Sequence, residues 1–192
     1  LGKAAVIYSR TKVEESFAIN LIIAKGSVNK LKTTKVVSSN QETIPKLELQ
    51  ALLMLAELYE QIKKCFSHLN VKFQAYVDSK IIIYWVRNLT PNKNKFVQRR
   101  VEKIRELLNP YDIHYVNTKL NPADIPSRAR YVEELLEEQL WWEGPDFLKS
   151  PELPTTTDED LKNSTTNTFV TKNDEKEPDM FGKFSNYNRL LR

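Results

Sequence analysis

Between residues 16 and 25 the chain alternates with a period of two, Phe17, Ile19, Leu21 and Ile23 standing against Ala18, Asn20, Ile22 and Ala24. This is the pattern of a strand with one strongly apolar face and one weakly polar face. The run AAVIYS at residues 4–9 reads as a second strand, and the charged connector RTKVEE between them makes the two an antiparallel pair. From residue 43 the period lengthens. TIPKLELQALLMLAELYEQIKKCFS, residues 43–67, contains no Gly and no Pro after Pro45, and Leu52, Leu55, Tyr59, Ile62 and Phe66 recur at three- and four-residue steps. The spacing predicts one long helix, capped by Thr43, with Pro45 in a first turn where its missing N–H is not needed. Its apolar stripe must face a core.

The period then shortens again. VKFQAYVD, residues 71–78, is a strand with Val71, Phe73, Ala75 and Val77 on one face, and residues 79–88 form a short helix carrying Tyr84 and Trp85. Residues 90–108 form a helix opened by TPN and closed by Asn109-Pro110. DIHYVN, residues 112–117, is a further strand, residues 118–130 are a loop containing NPADIPSR, and residues 131–148 begin helically and then meet Gly144-Pro145. Strand, strand, helix, strand, helix, helix, strand, helix is the order of an α/β fold. It predicts a mixed sheet with antiparallel N-terminal strands and later strands brought parallel by helical crossovers.

Length and composition narrow this picture. A chain of 192 residues suits one domain and an appendage. Its one cysteine, Cys65, cannot close an internal disulfide, which favours a reducing, intracellular setting, cytoplasmic or nuclear, and argues against a cysteine zinc site. No apolar run reaches the ~20 residues of a membrane span, and no signal-peptide pattern is present. A first residue of Leu suggests a fragment of a longer protein. From Pro151 onward the chain holds six Lys/Arg and eight Asp/Glu, so the remainder, with 23 and 17, is near +6. Residues 26–42 read as a polar loop with Lys30, Lys32 and Lys35. Residues 150–180, almost without aliphatics, are predicted to be disordered, and residues 181–192 to form a short amphipathic helix.

Charge is also concentrated locally. Residues 92–105 hold Lys93, Lys95, Arg99, Arg100, Lys103 and Arg105 against Glu102 alone, a patch suited to a polyanion and equally to a solvated helix face. Tyr84 and Trp85, among Ile81, Ile82 and Ile83, read as core rather than as stacking platforms.

Three carboxylates are candidates for chemistry. Glu48 lies one turn back along the apolar stripe of the long helix, where a buried charge must be compensated by a metal, a cation or solvent. The alternative is a first-turn acid favoured by the helix dipole. Asp78 ends one strand and Asp124 follows the last, although each could instead cap the helix after it. In an open α/β sheet the site lies beyond the carboxyl ends of the parallel strands, where all three can converge. Clustered carboxylates suit a hard divalent cation such as magnesium.

The segments IPKLELQALL, YVDSKIIIYWVRN, FVQRRVEKI, HYVNTKLNPADIPSRA and LWWEGPDFL, in this order, resemble the ribonuclease H domain of BEL/Pao-type LTR retrotransposon polyproteins over roughly residues 1–148. FGKFSNYNRLLR, residues 181–192, resembles the segment leading toward integrase, with residues 149–180 as linker. The resemblance implies a ribonuclease H-like fold that hydrolyses the RNA strand of RNA–DNA hybrids with two Mg2+ ions, as part of a polyprotein with reverse transcriptase and integrase. It makes Glu48, Asp78 and Asp124 catalytic metal ligands, and gives Lys80, Lys93, Lys95, Arg99, Arg100 and Lys103 the hybrid's phosphates. The family's first strand and its Asp, expected just before Ala4, have no counterpart here, so metal binding is expected to be weak and activity impaired. The alternative is a catalytically inactive or domesticated remnant that binds nucleic acid or protein partners. A DNA strand-transfer enzyme of the same superfamily fits less well, because its last acid is usually a helix-borne Glu. Residues 118–123 contain no histidine where many cellular ribonucleases H place one, and neither His68 nor His114 is assigned a role.

Overall fold

The computed structural model describes residues 2–28, 43–88, 92–127 and 131–166. Most of the expected polar loop, the expected helix start at Thr90 and the expected terminal helix at residues 181–192 lie outside the described residues.

The N-terminal pair is a longer hairpin than its apolar pattern indicates, β1 (Gly2–Val13) pairing antiparallel with β2 (Ser16–Val28). Residues 10–13, read as connector, are strand. Cross-strand pairing overrides their weak propensity, and Arg10 lies over the ring of Phe17 at 3.4 Å. The turn is only Glu14-Glu15, with Glu14 at φ 53°. The predicted alternation holds along β2, where Phe17, Ile19, Leu21 and Ile23 are partly covered and their neighbours exposed.

The long helix is α1 (Ile44–Lys63), extended by one 3-10 turn at Lys64–Phe66. Thr43 occupies its N-cap position without a side-chain capping bond. Leu49, Leu52 and Ala56 are fully or almost fully buried and face the main core, while Leu55 and Tyr59 sit at its margin. The periodic stripe thus turns slightly away from the core centre and runs along a cleft.

Next come β3 (Ala75–Val77), α2 (Lys80–Arg87), α3 (Lys95–Leu107) and β4 (Ile113–Tyr115). The α2–α3 crossover brings β4 parallel to β3 as expected, and Val116 N–H extends the ladder by donating to Val77 O at 2.9 Å. Asn94 caps α3 by accepting from the N–H groups of Phe96 and Val97. The core gathers Leu49, Leu52 and Ala56 of α1 with Ile82, Ile83 and Val86 of α2, Val97, Val101 and Ile104 of α3, and Ala75 and Ile113 of the parallel pair.

The sheet departs from the single mixed sheet expected. Among the described residues the strands form two separate ribbons, β1–β2 and β3–β4, with no ladder between them. A cleft of about 1570 Å³ is lined by β1, by Phe73, Ala75 and Val77, and by the α1 stripe of Leu55, Tyr59 and Ile62.

The chain continues through α4 (Asp124–Ser127), α5 (Val132–Leu136) and α6 (Gln139–Glu143). At Gly144 the backbone turns with φ 69° and ψ −180°, a conformation essentially reserved for glycine. A Cβ there would stand 2.8 Å from Leu148 Cδ1. Gly144→Ala is expected to cost about 1–3 kcal/mol, read as a lowered urea midpoint at unchanged slope.

Beyond Pro145 the structure differs from the expected linker over residues 149–166, while residues 167–180 lie outside the described residues. A 3-10 turn at Asp146–Lys149 leads to an extended strap and then to α7 (Asp158–Thr166), whose Leu161 is buried in the core. Thr157 and Asp160 cap that helix reciprocally, Thr157 N–H donating to Asp160 Oδ2 at 2.8 Å and Asp160 N–H to Thr157 Oγ1 at 3.2 Å. The strap bridges the two ribbons. Arg10 of β1 donates to Leu148 O at 2.7 Å, Tyr76 of β3 donates to Pro154 O at 3.2 Å, and Arg87 of α2 donates to Thr156 O at 2.8 Å.

Candidate functional site

Glu48 enters the cleft from the second turn of α1, one residue before the fully buried Leu49. Asp78 enters from the carboxyl end of β3. Asp124 enters as the first residue of α4, placed by the turn before it, in which Ala123 N–H donates to Asn121 Oδ1 at 3.1 Å and Ile125 N–H to Pro122 O at 3.2 Å. Ile125 is buried and anchors that turn. All three carboxylates line the same cleft.

They also act on one another. Burial is the main cause that raises the Glu48 pKa above its ordinary value, and the negative charges of Asp78 and Asp124 push it the same way. A hydrogen bond from Ser79 opposes them. Ser79 occupies the N-cap position of α2 but makes no capping bond to it; the hydroxyl serves Glu48 instead. The capping alternative considered for Asp78 is therefore not taken, because the cap position falls one residue later.

Oxygen donors of this kind suit Mg2+. The donor chemistry fits, but the grouping is not closed: among the described residues no three His, Cys, Asp or Glu side chains stand together as a ready cation cage.

The basic residues divide by role. Lys95 and Arg99 are exposed on α3, as is Lys93 just before it. Lys103 pairs with Glu106 at 2.8 Å on the same surface. Arg100 is drawn inward, its guanidinium 3.4 Å from the ring of Phe96 and donating to Phe96 O at 3.1 Å. Arg105 is structural, donating to Val86 O at 2.8 Å and to Asn88 O, where it closes the end of α2. Lys80 lies over the ring of Tyr115 at 5.0 Å, on the β4 side of α2. His68 is exposed, and His114 is buried in β4.

Two features escaped the sequence reading. Ser79 was read only as the first residue of the helix at residues 79–88, and the strap was hidden in a polar tail whose capping pair Thr157/Asp160 was its one local signal.

Residues 2–79 match the family described as Pao retrotransposon-like RNaseH-like domain. The resemblance read from the sequence is borne out over this span. The Pao-type segment runs from β1 to the residue after Asp78 and so contains Glu48 and Asp78, while Asp124 and α3 lie beyond it. No curated protein and no solved structure gives a match. No helix among the described residues is long and apolar enough to cross a membrane.

Proposed function

We propose that this chain is a ribonuclease H-type domain of a retrotransposon polyprotein, built for metal-dependent hydrolysis of RNA in RNA–DNA hybrids and impaired as it stands. The observation that carries the reading is that Glu48, Asp78 and Asp124 line one cleft and that the charges of the two aspartates act on Glu48, with Glu48 and Asp78 inside the Pao-type segment and Asp124 beyond it. These three residues would hold Mg2+, which when bound supplies an activated water and neutralises charge on the scissile phosphate. The Ser79 hydroxyl, hydrogen-bonded to Glu48, would help to hold its carboxylate in the cleft. In this reading Glu48 would meet the ribose 2′-hydroxyl, the group that distinguishes RNA from DNA at the cut.

The impairment belongs to the same proposal, in which a further ligand would be needed to complete the centre. The open cleft between the ribbons leaves the facing edges of β1 and β3 without a strand partner among the described residues. A further strand carrying an Asp at its end would fill the cleft and complete the ligand set. The exposed Lys93, Lys95 and Arg99 would follow phosphates without reading sequence. Replacing Lys95 and Arg99 by Ala is expected to weaken hybrid binding and to lower the slope of log K against log salt by about 1 for each phosphate that is no longer neutralised.

The deciding experiment measures Mg2+-dependent cleavage of a labelled RNA–DNA hybrid by the chain alone and by a version extended at its N-terminus with an Asp-bearing strand. Weak or no cleavage alone and recovery with the extension is the expected result. No cleavage by either version, with hybrid binding retained, would establish the second reading, a non-cleaving remnant. The lack of a preformed cation cage among the described residues favours that reading.

A further inference from the structure

We infer that the strap over residues 145–161 is a pH-sensitive latch, held at its far end by His114 and released when that imidazole takes up a proton.

The geometry is specific. Thr156 N–H donates to His114 Nδ1 at 3.2 Å in a buried bond, so this nitrogen must be an unprotonated acceptor for the strap to close. Tyr115 N–H donates to Thr156 Oγ1 at 2.7 Å, so the strap residue is held against β4 by a second bond between side chain and backbone. Arg87 fixes the same point from α2: its Nη1 donates to Thr156 O and to Asp158 Oδ1, and its Nη2 to Ile113 O, at 2.8, 3.0 and 2.9 Å. His114 and Thr156 are both buried, at 5% and 9% exposure.

A proton on Nδ1 turns the acceptor into a donor facing another donor, the Thr156 N–H. It also sets a second cation beside Arg87 in a buried place. The charged groups that act on His114 are Arg87 from α2 and Asp112 from the turn before β4; Asp158 and Asp160 of α7 act on Arg87, Lys80 acts on Asp160, and Tyr76 of β3 presents its ring to His114 at 5.7 Å. Asp112 favours the imidazolium. Burial and Arg87 outweigh it, so the closed latch holds the His114 pKa below its ordinary 6.5. The sign is therefore fixed. The latched state binds fewer protons than the released one, so the latch is at full strength above pH 6.5 and weakens as pH falls below it, until His114 is protonated in the latched state too.

Release frees the anchor that carries Leu161 into the core, and with it a link between the β1–β2 and β3–β4 ribbons. None of this depends on the activity proposed for the cleft.

Native-state hydrogen exchange of the whole chain between pH 7.5 and 5.5, corrected for intrinsic rates, tests the latch. Protection of the Thr156 and Tyr115 amides is expected to fall by up to tenfold per pH unit below 6.5, while the Val101 and Ile104 amides of α3 keep theirs. His114→Asn, which offers an amide oxygen near the Nδ1 position but does not titrate, is expected to abolish the pH dependence. Equal protection at both pH values in the parent chain, an unchanged pH dependence in H114N, or parallel loss at Val101 and Ile104 would each overturn the latch. If H114N does not fold, NMR titration of His114 in the parent chain decides: loss of the strap amide signals must follow the imidazole's own titration curve.

Discussion

Glu48→Gln is expected to make the chain more stable at neutral pH and less able to bind metal or to cut, two opposite effects from one atom. The carboxylate is partly buried beside Asp78 and Asp124, and its pKa is raised first by burial and then by those two charges. A raised carboxyl pKa means that the folded chain binds the proton more tightly than the unfolded chain does. Stability from this group is thus fully present below the ordinary value of 4.5 and is lost as pH rises through the folded value. Glutamine keeps the shape and an acceptor for the Ser79 hydroxyl and removes the charge. Urea melts at pH 7 are expected to shift to higher midpoints, and the part of the stability–pH curve that Glu48 contributes is expected to vanish. Replacing even an outer-shell partner of a metal ligand costs about 10–100-fold in affinity or activity. Loss of a ligand itself is expected to exceed about 100-fold in Mn2+ or Mg2+ affinity and in any hybrid cleavage by the strand-extended chain. A variant that melts earlier than the parent would contradict the electrostatic account, and one that cleaves at the parental rate would remove Glu48 from the chemistry.

Arg87→Ala is expected to cost about 3 kcal/mol or more, a large share of the 5–15 kcal/mol that holds a typical domain folded. The side chain is 7% exposed and is shared among Pro110 O, Ile113 O, Thr156 O and Asp158. Truncation leaves several carbonyls without their donor at the seam between α2, β4 and the strap. The ion pair itself contributes little, because Asp158 is 57% exposed; the cost lies in the orphaned carbonyls. Arg87→Lys is expected to recover only part of the loss, since a single ammonium cannot span the fork. Equilibrium urea unfolding of both variants measures this. A cost under about 1 kcal/mol for the alanine variant would mean that water replaces the guanidinium without difficulty.

How far the fold could be read from the sequence depended on what each signal reports. Side-chain alternation reports faces, and it placed β2 and its buried side correctly through Phe17, Ile19, Leu21 and Ile23. It does not report edges: the run at residues 71–78 alternates throughout, yet only Ala75–Val77 pairs, because pairing requires a neighbouring backbone that no side-chain pattern encodes. The same blindness made two ribbons look like one sheet. Helical periodicity found α1 but aimed its stripe at the core centre, where Leu49, Leu52 and Ala56 sit, while Tyr59 instead stacks on Phe73 at 3.8 Å beside the cleft. That Glu48, Asp78 and Asp124 line one cleft could be anticipated from the place of Glu48 on the α1 stripe, of Asp78 at the end of β3 and of Asp124 after β4. The strap could not, since thirty polar residues average to disorder while a single Leu161 behind a Thr157/Asp160 cap is enough to fold the first half of them.

The late anchor at Leu161 constrains how this unit can be excised from a longer chain. A protease that nicked between Trp141 and Leu148 would leave Arg10, Tyr76 and Arg87 gripping carbonyls on a severed piece, and a product ending at residue 148 would lack the plug that closes one side of the core. A stable, trimmed product must therefore keep the first turn of α7, which places the earliest tolerable scissile bond after Leu161.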